Sequence, residues 1–253
     1  MARTCSPRTV VLPLAALLLV CGGKPAAAQE ELACQVKASV LAWKLFALHD
    51  KCLVACNRNV RAGELTPTDC DVGPELDQRT ATCLQKTANN MQGSACKACA
   101  GNIPACYGAG NCPDVVDDVL GPVAAEAEGV TDPVLCDDAA SGDGLTAIEA
   151  KCEDGLALML GKFAARKAMC LARCRKRYTA AECTAGAVTE PRTADCIASA
   201  EAKTIASIDR RCVDPPECHG TTDAAGWVAS VEQLVDSHDA DLFCGSPNGA
   251  FLR

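Results

Sequence analysis

The sequence predicts an all-α protein made of two tandem, disulfide-stapled antiparallel helical hairpins that can pack as a four-helix arrangement. Three observations predict it: twenty cysteines in 253 residues, a cysteine spacing that occurs twice, and apolar residues that recur every three or four positions. Aromatic residues make up only 3% of the chain, so small aliphatic side chains and cysteine must fill the core. The length suffices for one large domain or two smaller ones.

The N-terminus predicts an export signal over residues 1–28, with basic residues at the start, an apolar run at residues 10–20 and small residues up to Ala28. We expect cleavage after Ala28 and a secreted or periplasmic protein. A lipoprotein site at Cys21 is the alternative, which the bulky Val20 disfavours. The apolar run of about 11 residues is too short to span a bilayer, so no transmembrane segment is expected.

Composition limits the function classes. Cleavage after residue 28 leaves 21 basic and 32 acidic residues and 18 cysteines, and an even number of cysteines in an exported chain indicates a disulfide framework. The acidic balance argues against nucleic acid as a partner. The sequence has three histidines, no nucleophile elbow and no phosphate-binding loop, so we expect no catalytic residues, no cofactor and no enzymatic activity. An extracellular or envelope protein partner is left open.

An internal duplication is predicted by the cysteine spacing. The first three cysteines of each set are spaced by 18 and 4 residues, and the last three by 13 and 16. The two sets are Cys34, Cys52, Cys56, Cys70, Cys83 and Cys99, and Cys152, Cys170, Cys174, Cys183, Cys196 and Cys212. A spacing that recurs in register predicts two copies of one structural unit.

Each unit begins with a helix of about 25 residues, because its apolar residues alternate steps of three and four, as on one face of an α-helix. The return segments, about residues 75–99 and 193–212, are also predicted to be helices. The predicted organisation is a signal peptide (1–28), hairpin unit 1 (29–112), an acidic linker (113–144), hairpin unit 2 (145–218), and a C-terminal helix and tail (219–253).

Antiparallel helices favour a nested disulfide pattern, because facing positions then pair at every level. The predicted bonds are Cys34–Cys99, Cys52–Cys83 and Cys56–Cys70 in unit 1, and Cys152–Cys212, Cys170–Cys196 and Cys174–Cys183 in unit 2. We also expect Cys218–Cys244, which would tie the last helix to unit 2. The pairing of Cys96, Cys106, Cys112 and Cys136 is left open.

The cysteine spacing and the predicted compartment favour disulfides over metal sites. Cys96, Cys99, Cys106 and Cys112 could form a four-thiolate zinc or iron–sulfur site, but only the first pair has the usual tight spacing, and disulfides are favoured in an oxidising compartment. Residues 137–144 are similar to a calcium loop but place alanine at essential ligand positions. The basic run at residues 173–177 is interpreted as a complement to a helix C-terminus, with contact to an anionic polymer as the alternative.

The motifs Cys52-x3-Cys56 and Cys170-x3-Cys174, set in helices that begin and end in cysteine, resemble the exported cysteine-rich helical-hairpin repeat proteins of environmental bacteria over about residues 34–218. That resemblance implies fold and location but no activity. The architecture is also similar to the twin-cysteine hairpins of the mitochondrial intermembrane space, although the return helices here carry single cysteines.

The predicted function is therefore a secreted or periplasmic disulfide-stabilised scaffold or binding protein without catalysis. A similarity to bacterial copper-storage bundles, which hold Cu(I) on Cys-x3-Cys helices, implies the alternative of soft-metal storage. The ligands would then be Cys34, Cys52, Cys56, Cys83 and their repeat equivalents. Against it, this chain lacks a dense stripe of core cysteines.

Overall fold

The computed structural model describes residues 26–100, 102–136, 145–178 and 181–243. The helices are α1 (Ala26–Arg61), α2 (Gln78–Cys99), α3 (Cys112–Asp114), a π-helical turn (Val115–Leu120), α4 (Gly121–Leu135), α5 (Ala147–Arg175), α6 (Pro191–Arg211), α7 (Ala224–Ser237) and α8 (Asp239–Leu242). Short 3-10 turns lie at Pro67–Cys70, Ala105–Tyr107, Ala181–Cys183 and Glu217–His219. These ranges contain no strand, which confirms the all-α class. Most of the predicted signal peptide, including Cys21, lies outside the described residues.

Helices α1 and α2 form the first hairpin. The apolar stripe of α1 is buried, and the helix is longer than predicted, at 36 residues. It ends just before Gly63, whose φ of 73° is a conformation that glycine adopts without strain and whose N–H donates to the Val60 carbonyl at 2.8 Å. Helix α2 begins after Asp77, whose carboxylate accepts from the Thr80 N–H at 2.9 Å. This N-cap satisfies one of the unpaired donors at the start of the helix.

Helices α5 and α6 form the second hairpin, with α5 extending over 29 residues. Thr146 and Glu149 form a reciprocal capping box at its start, in which each side chain accepts a hydrogen bond from the other residue's backbone N–H. Helix α6 begins with Pro191, and the Glu190 carboxylate accepts from the next two N–H groups. Both helices therefore begin where the sequence supplies a cap.

The two hairpins meet along α1 and α5, which run antiparallel and share one hydrophobic core. At one end, Arg61 forms ion pairs with Glu153 at 3.0 Å and with Asp154 at 2.5 Å. Near the middle, Gly161 lies so close to α1 that a Cβ built on it would be 2.8 Å from the Ala47 Cα atom. Contact this close requires glycine, because any side chain would push the two helices apart.

Within the segment predicted as an acidic linker (113–144), the described residues 113–136 are mostly helical, with one face buried. Val115, Leu120 and Val123 are buried, and α4 packs against α1. The sequence predicts short helices at Val115–Leu120 and at residues 123–128 within this stretch, and both lie in helical structure. The described acidic residues Asp117, Asp118 and Glu126 are exposed, while Val115, Val116, Val119 and Val123 face the core. Residues 137–144, the calcium-like stretch, lie outside the described residues.

Helix α7 closes the core on another face of α5. The buried Lys167 of α5 reaches two carboxylates of α7, Glu232 at 2.8 Å and Asp236 at 2.6 Å. Burial raises the pKa of Asp236, and the ion pair with Lys167 partly opposes that effect. Beyond α7, the Tyr107 hydroxyl donates to the Leu242 carbonyl at 2.6 Å. Polar contacts thus join the C-terminal helices both to α5 and to the loop after α2.

Candidate functional site

Disulfides cross-link both hairpins at three levels. In the first hairpin, bonds join Cys34 to Cys99, Cys52 to Cys83 and Cys56 to Cys70. In the second, bonds join Cys152 to Cys212, Cys170 to Cys196 and Cys174 to Cys183. The outermost bonds bring Cα atoms to 4.6 and 4.5 Å, and the middle bonds to 5.9 and 6.0 Å. These are the six nested pairs that the spacing predicts, with near-equal geometry in the two hairpins.

Outside this ladder, the pairing differs from the sequence prediction in one respect. Cys218 bonds to Cys136 and not to Cys244, which lies outside the described residues. The predicted Cys218–Cys244 bond is therefore replaced by one that ties the end of α4 to the turn before α7. The reason is spatial: α4 packs into the core and contacts the Glu217–His219 turn, so that Cys136 at its end lies next to Cys218.

The candidate thiolate sites are occupied by disulfides. Cys96 bonds to Cys112, Cys99 belongs to the ladder, and Cys106 is also disulfide-bonded. A disulfide sulfur is not a thiolate, so this group offers no four-thiolate zinc site in the oxidised chain. The same holds for the Cys34, Cys52, Cys56 and Cys83 ligand set of the metal-storage alternative.

One group of potential metal ligands converges within the part of the chain that the structure describes: Cys136, Cys218 and His219. The two sulfurs form a disulfide, and the His219 Nε2 atom lies 2.8 Å from the Val134 carbonyl oxygen. Because a carbonyl only accepts, Nε2 carries the hydrogen. Burial lowers the pKa of His219, which favours the neutral ring. This group therefore secures the end of α4 and does not form an open metal site.

The second hairpin presents a row of basic side chains to solvent. Every exposed residue between positions 151 and 177 is lysine or arginine. These residues are Lys151, Lys162, Arg166, Arg173, Lys176 and Arg177. Lys162, Arg166 and Arg173 are separated by 4 and 7 residues, so they share one face of α5. Arg177 lies in the turn that follows the helix. That face of α5 borders α6, and two exposed cations of α6, Arg192 and Lys203, line the same surface.

We define the basic groove as the surface between α5 and α6 that carries six cations: Lys162, Arg166, Arg173, Arg177, Arg192 and Lys203. It contains two cavities that meet at Cys196. One, of about 190 Å³, is lined by Arg173, Arg177 and Arg192. The other, of about 460 Å³, is lined by Lys162, Arg166 and Lys203. The Cys170–Cys196 bond crosses between the two helices here and holds them together.

Most of the positive charge of the groove has no acidic partner among the described residues. None of its six cations forms a salt bridge there. Glu190 lines the smaller cavity, but its carboxylate accepts hydrogen bonds from the Thr193 hydroxyl at 2.5 Å and from the Thr193 N–H at 2.7 Å. These bonds from Thr193 lower the pKa of Glu190, with a smaller contribution from the charge of Arg192, and the carboxylate caps α6.

Sequence reasoning missed this groove because it treated residues 173–177 as a local run at a helix end. The sequence does contain a signal for the groove: Lys162 and Arg166 lie on the same helical face as Arg173, and the return helix carries Arg192 and Lys203. Arg175, in the middle of the run, points the other way. It is buried, pairs with Asp239 and stacks over the Phe243 ring at 3.6 Å.

Comparison of the chain with protein families, curated proteins and solved structures gives no match. In the described ranges, no helix has both the length and the apolar character needed to cross a bilayer.

Proposed function

We propose that this chain is an exported, disulfide-stabilised helical binding protein without catalytic activity. The observation that carries the proposal is the double ladder: each hairpin is cross-linked at three levels, and α1 and α5 join the hairpins in one core. A chain long enough to bury a core of this size does not need so many covalent links to fold. Such cross-linking is useful where a protein must survive proteases and denaturing conditions outside the cell.

The chemistry of the described side chains supports a non-catalytic role. Nucleophilic catalysis needs an activated serine or cysteine beside a positioned histidine. His219 is bonded to a backbone carbonyl, and His238 lies between two carboxylates, 3.0 Å from Glu126 and 3.1 Å from Asp241. The described cysteines are committed to disulfides and so supply no thiolate nucleophile. These contacts favour structural roles for His219, His238 and the described cysteines.

Expression of the full chain in a bacterium with an oxidising periplasm tests the proposal. We expect the protein in the periplasm or the medium with an N-terminus at Gln29. Limited proteolysis should leave the oxidised chain intact and degrade it after reduction, since reduction removes the links across both hairpins. Retention in the cytoplasm, or equal protease resistance with and without reductant, would contradict the proposal.

A further inference from the structure

We infer that the basic groove binds an extended acidic polysaccharide, that is, a sugar chain carrying carboxylate or sulfate groups. The inference rests on the proposed function, because it names a ligand class for a protein proposed to bind without catalysis. It depends on four properties of the groove: its excess of positive charge, its length, its absence from the first hairpin and its side-chain chemistry.

The charge of the groove contrasts with that of the whole chain. The chain carries a formal net charge of −8, yet the exposed residues of α5 from position 151 onward are all basic. Internal salt bridges do not explain these cations, because the groove forms none with the described acidic residues. Six like charges brought together repel one another, and an anionic ligand would relieve that repulsion.

The length of the groove indicates an extended ligand. Lys162 and Arg173 are 11 residues apart on α5, which corresponds to about 16 Å, and Arg177 lies in the turn beyond the helix. The two cavities are arranged along this length, and each is lined by three cations. A single small anion would contact only one of these clusters. A polymer with repeated negative groups can contact both, and arginine pairs well with planar carboxylates.

The first hairpin supplies an internal comparison. Counting from the middle disulfide, the positions that match four of the six groove cations are neutral in the first hairpin: Leu48, Ala55, Asn59 and Asn90. Only Lys44 and Arg79 are basic. Because both hairpins carry the same cross-links, the disulfide architecture does not require the basic residues. The groove is a property of the second hairpin alone.

The remaining lining favours a polysaccharide over other anionic partners. Ser199 and Thr204 supply hydroxyl groups that can bond to sugar hydroxyls. Single-stranded nucleic acid is usually bound by aromatic side chains that stack on bases, and the groove has only Tyr178 at one end, since Phe163 is 1% exposed. Stable binding to a membrane surface combines basic residues with exposed apolar anchors. Among the described residues the large exposed apolar side chains are Val72, Ile148 and Val213, and none of them lines the groove.

Binding of the oxidised full-length mature protein to defined polymers tests the inference at 0.15 M salt. The probes are polygalacturonate and dextran sulfate, with neutral dextran as the control polymer. A 20-nucleotide single strand and anionic phospholipid vesicles are the competing ligands. We compare two groove variants, Lys162→Gln/Arg166→Gln/Lys203→Gln and Arg173→Gln/Arg177→Gln/Arg192→Gln. The matched control, Lys44→Gln/Lys51→Gln/Lys86→Gln, removes three exposed charges from the first hairpin.

We expect binding to at least one acidic polysaccharide and none to dextran. Each groove variant should weaken that binding by about tenfold or more, because it removes charges that contact the polymer. The control variant should weaken it by less than about twofold, because its charges lie away from the groove. No binding by the parent protein, equal losses in control and groove variants, or tighter binding to the oligonucleotide or vesicles would overturn the inference. If binding fails while the oxidised chain still resists protease, the scaffold proposal stands and only the ligand assignment is lost.

Discussion

Substitution of Gly161 tests whether the two hairpins share one core. An added Cβ would lie 2.7 Å from the Asp50 Oδ2 atom, 2.8 Å from the Ala47 Cα atom and 3.1 Å from the Ala47 Cβ atom. The Cα atom belongs to the backbone of α1, so relief requires the helices to separate. Overpacking of this kind costs about 3 kcal/mol at the upper end of its range, and the helix propensity of alanine over glycine returns about 1 kcal/mol.

We therefore expect Gly161→Ala to lower the free energy of unfolding by about 2 kcal/mol. Gly93 in α2 is the matched control, because a Cβ there would meet nothing within 4 Å. Gly93→Ala should raise the free energy of unfolding by about 1 kcal/mol. Thermal unfolding of the oxidised proteins should show opposite shifts, with a drop of roughly 4–8 °C for Gly161→Ala. If Gly161→Ala instead stabilised the protein as Gly93→Ala does, α1 and α5 would not approach this closely and the shared core would be refuted.

Two further predictions concern the second hairpin. Replacing Cys152 and Cys212 with serine opens a ring of about 34 residues, because the Cys170–Cys196 bond still shortens the 60-residue separation by 26. Chain entropy predicts that the free energy of unfolding, measured with denaturant, falls by about 4 kcal/mol. A negligible fall would contradict the nested arrangement. Glu190→Gln should destabilise the protein at pH 7, because hydrogen bonds from Thr193 lower the pKa of Glu190 and so stabilise the fold where the carboxylate is ionised. That deficit should shrink as the pH falls below the ordinary value of 4.5, and a deficit independent of pH would refute the role of the ionised cap.

The features that the sequence predicts well are periodic or local. The three- and four-residue spacing around Cys34 and Cys52 predicts a long helix, and facing helices leave few alternatives to the nested bonds. Likewise, Thr146 followed by Glu149 is a local capping signal, and the structure forms that cap. In each case the information lies within one helix or one hairpin.

The features that sequence reasoning misses depend on contacts between units. Nothing local to Gly161 marks it as the crossing point of α1 and α5. The burial of Val115 and Leu120 depends on a surface that α1 provides, and the Cys136–Cys218 bond follows from where α4 packs. The basic groove likewise needs residues from two helices, and only packing in register brings them together.

The described cysteines are paired as a structural ladder requires, whereas metal storage requires free thiolates. A count of free thiols in protein purified from the oxidising compartment without reductant, followed by peptide mapping of the bonds, distinguishes the two. The mature chain has 18 cysteines after the predicted cleavage. The ladder predicts close to zero free thiols, with Cys34 linked to Cys99 and Cys136 linked to Cys218. About ten or more free thiols that bind Cu(I) would contradict the ladder and favour metal storage.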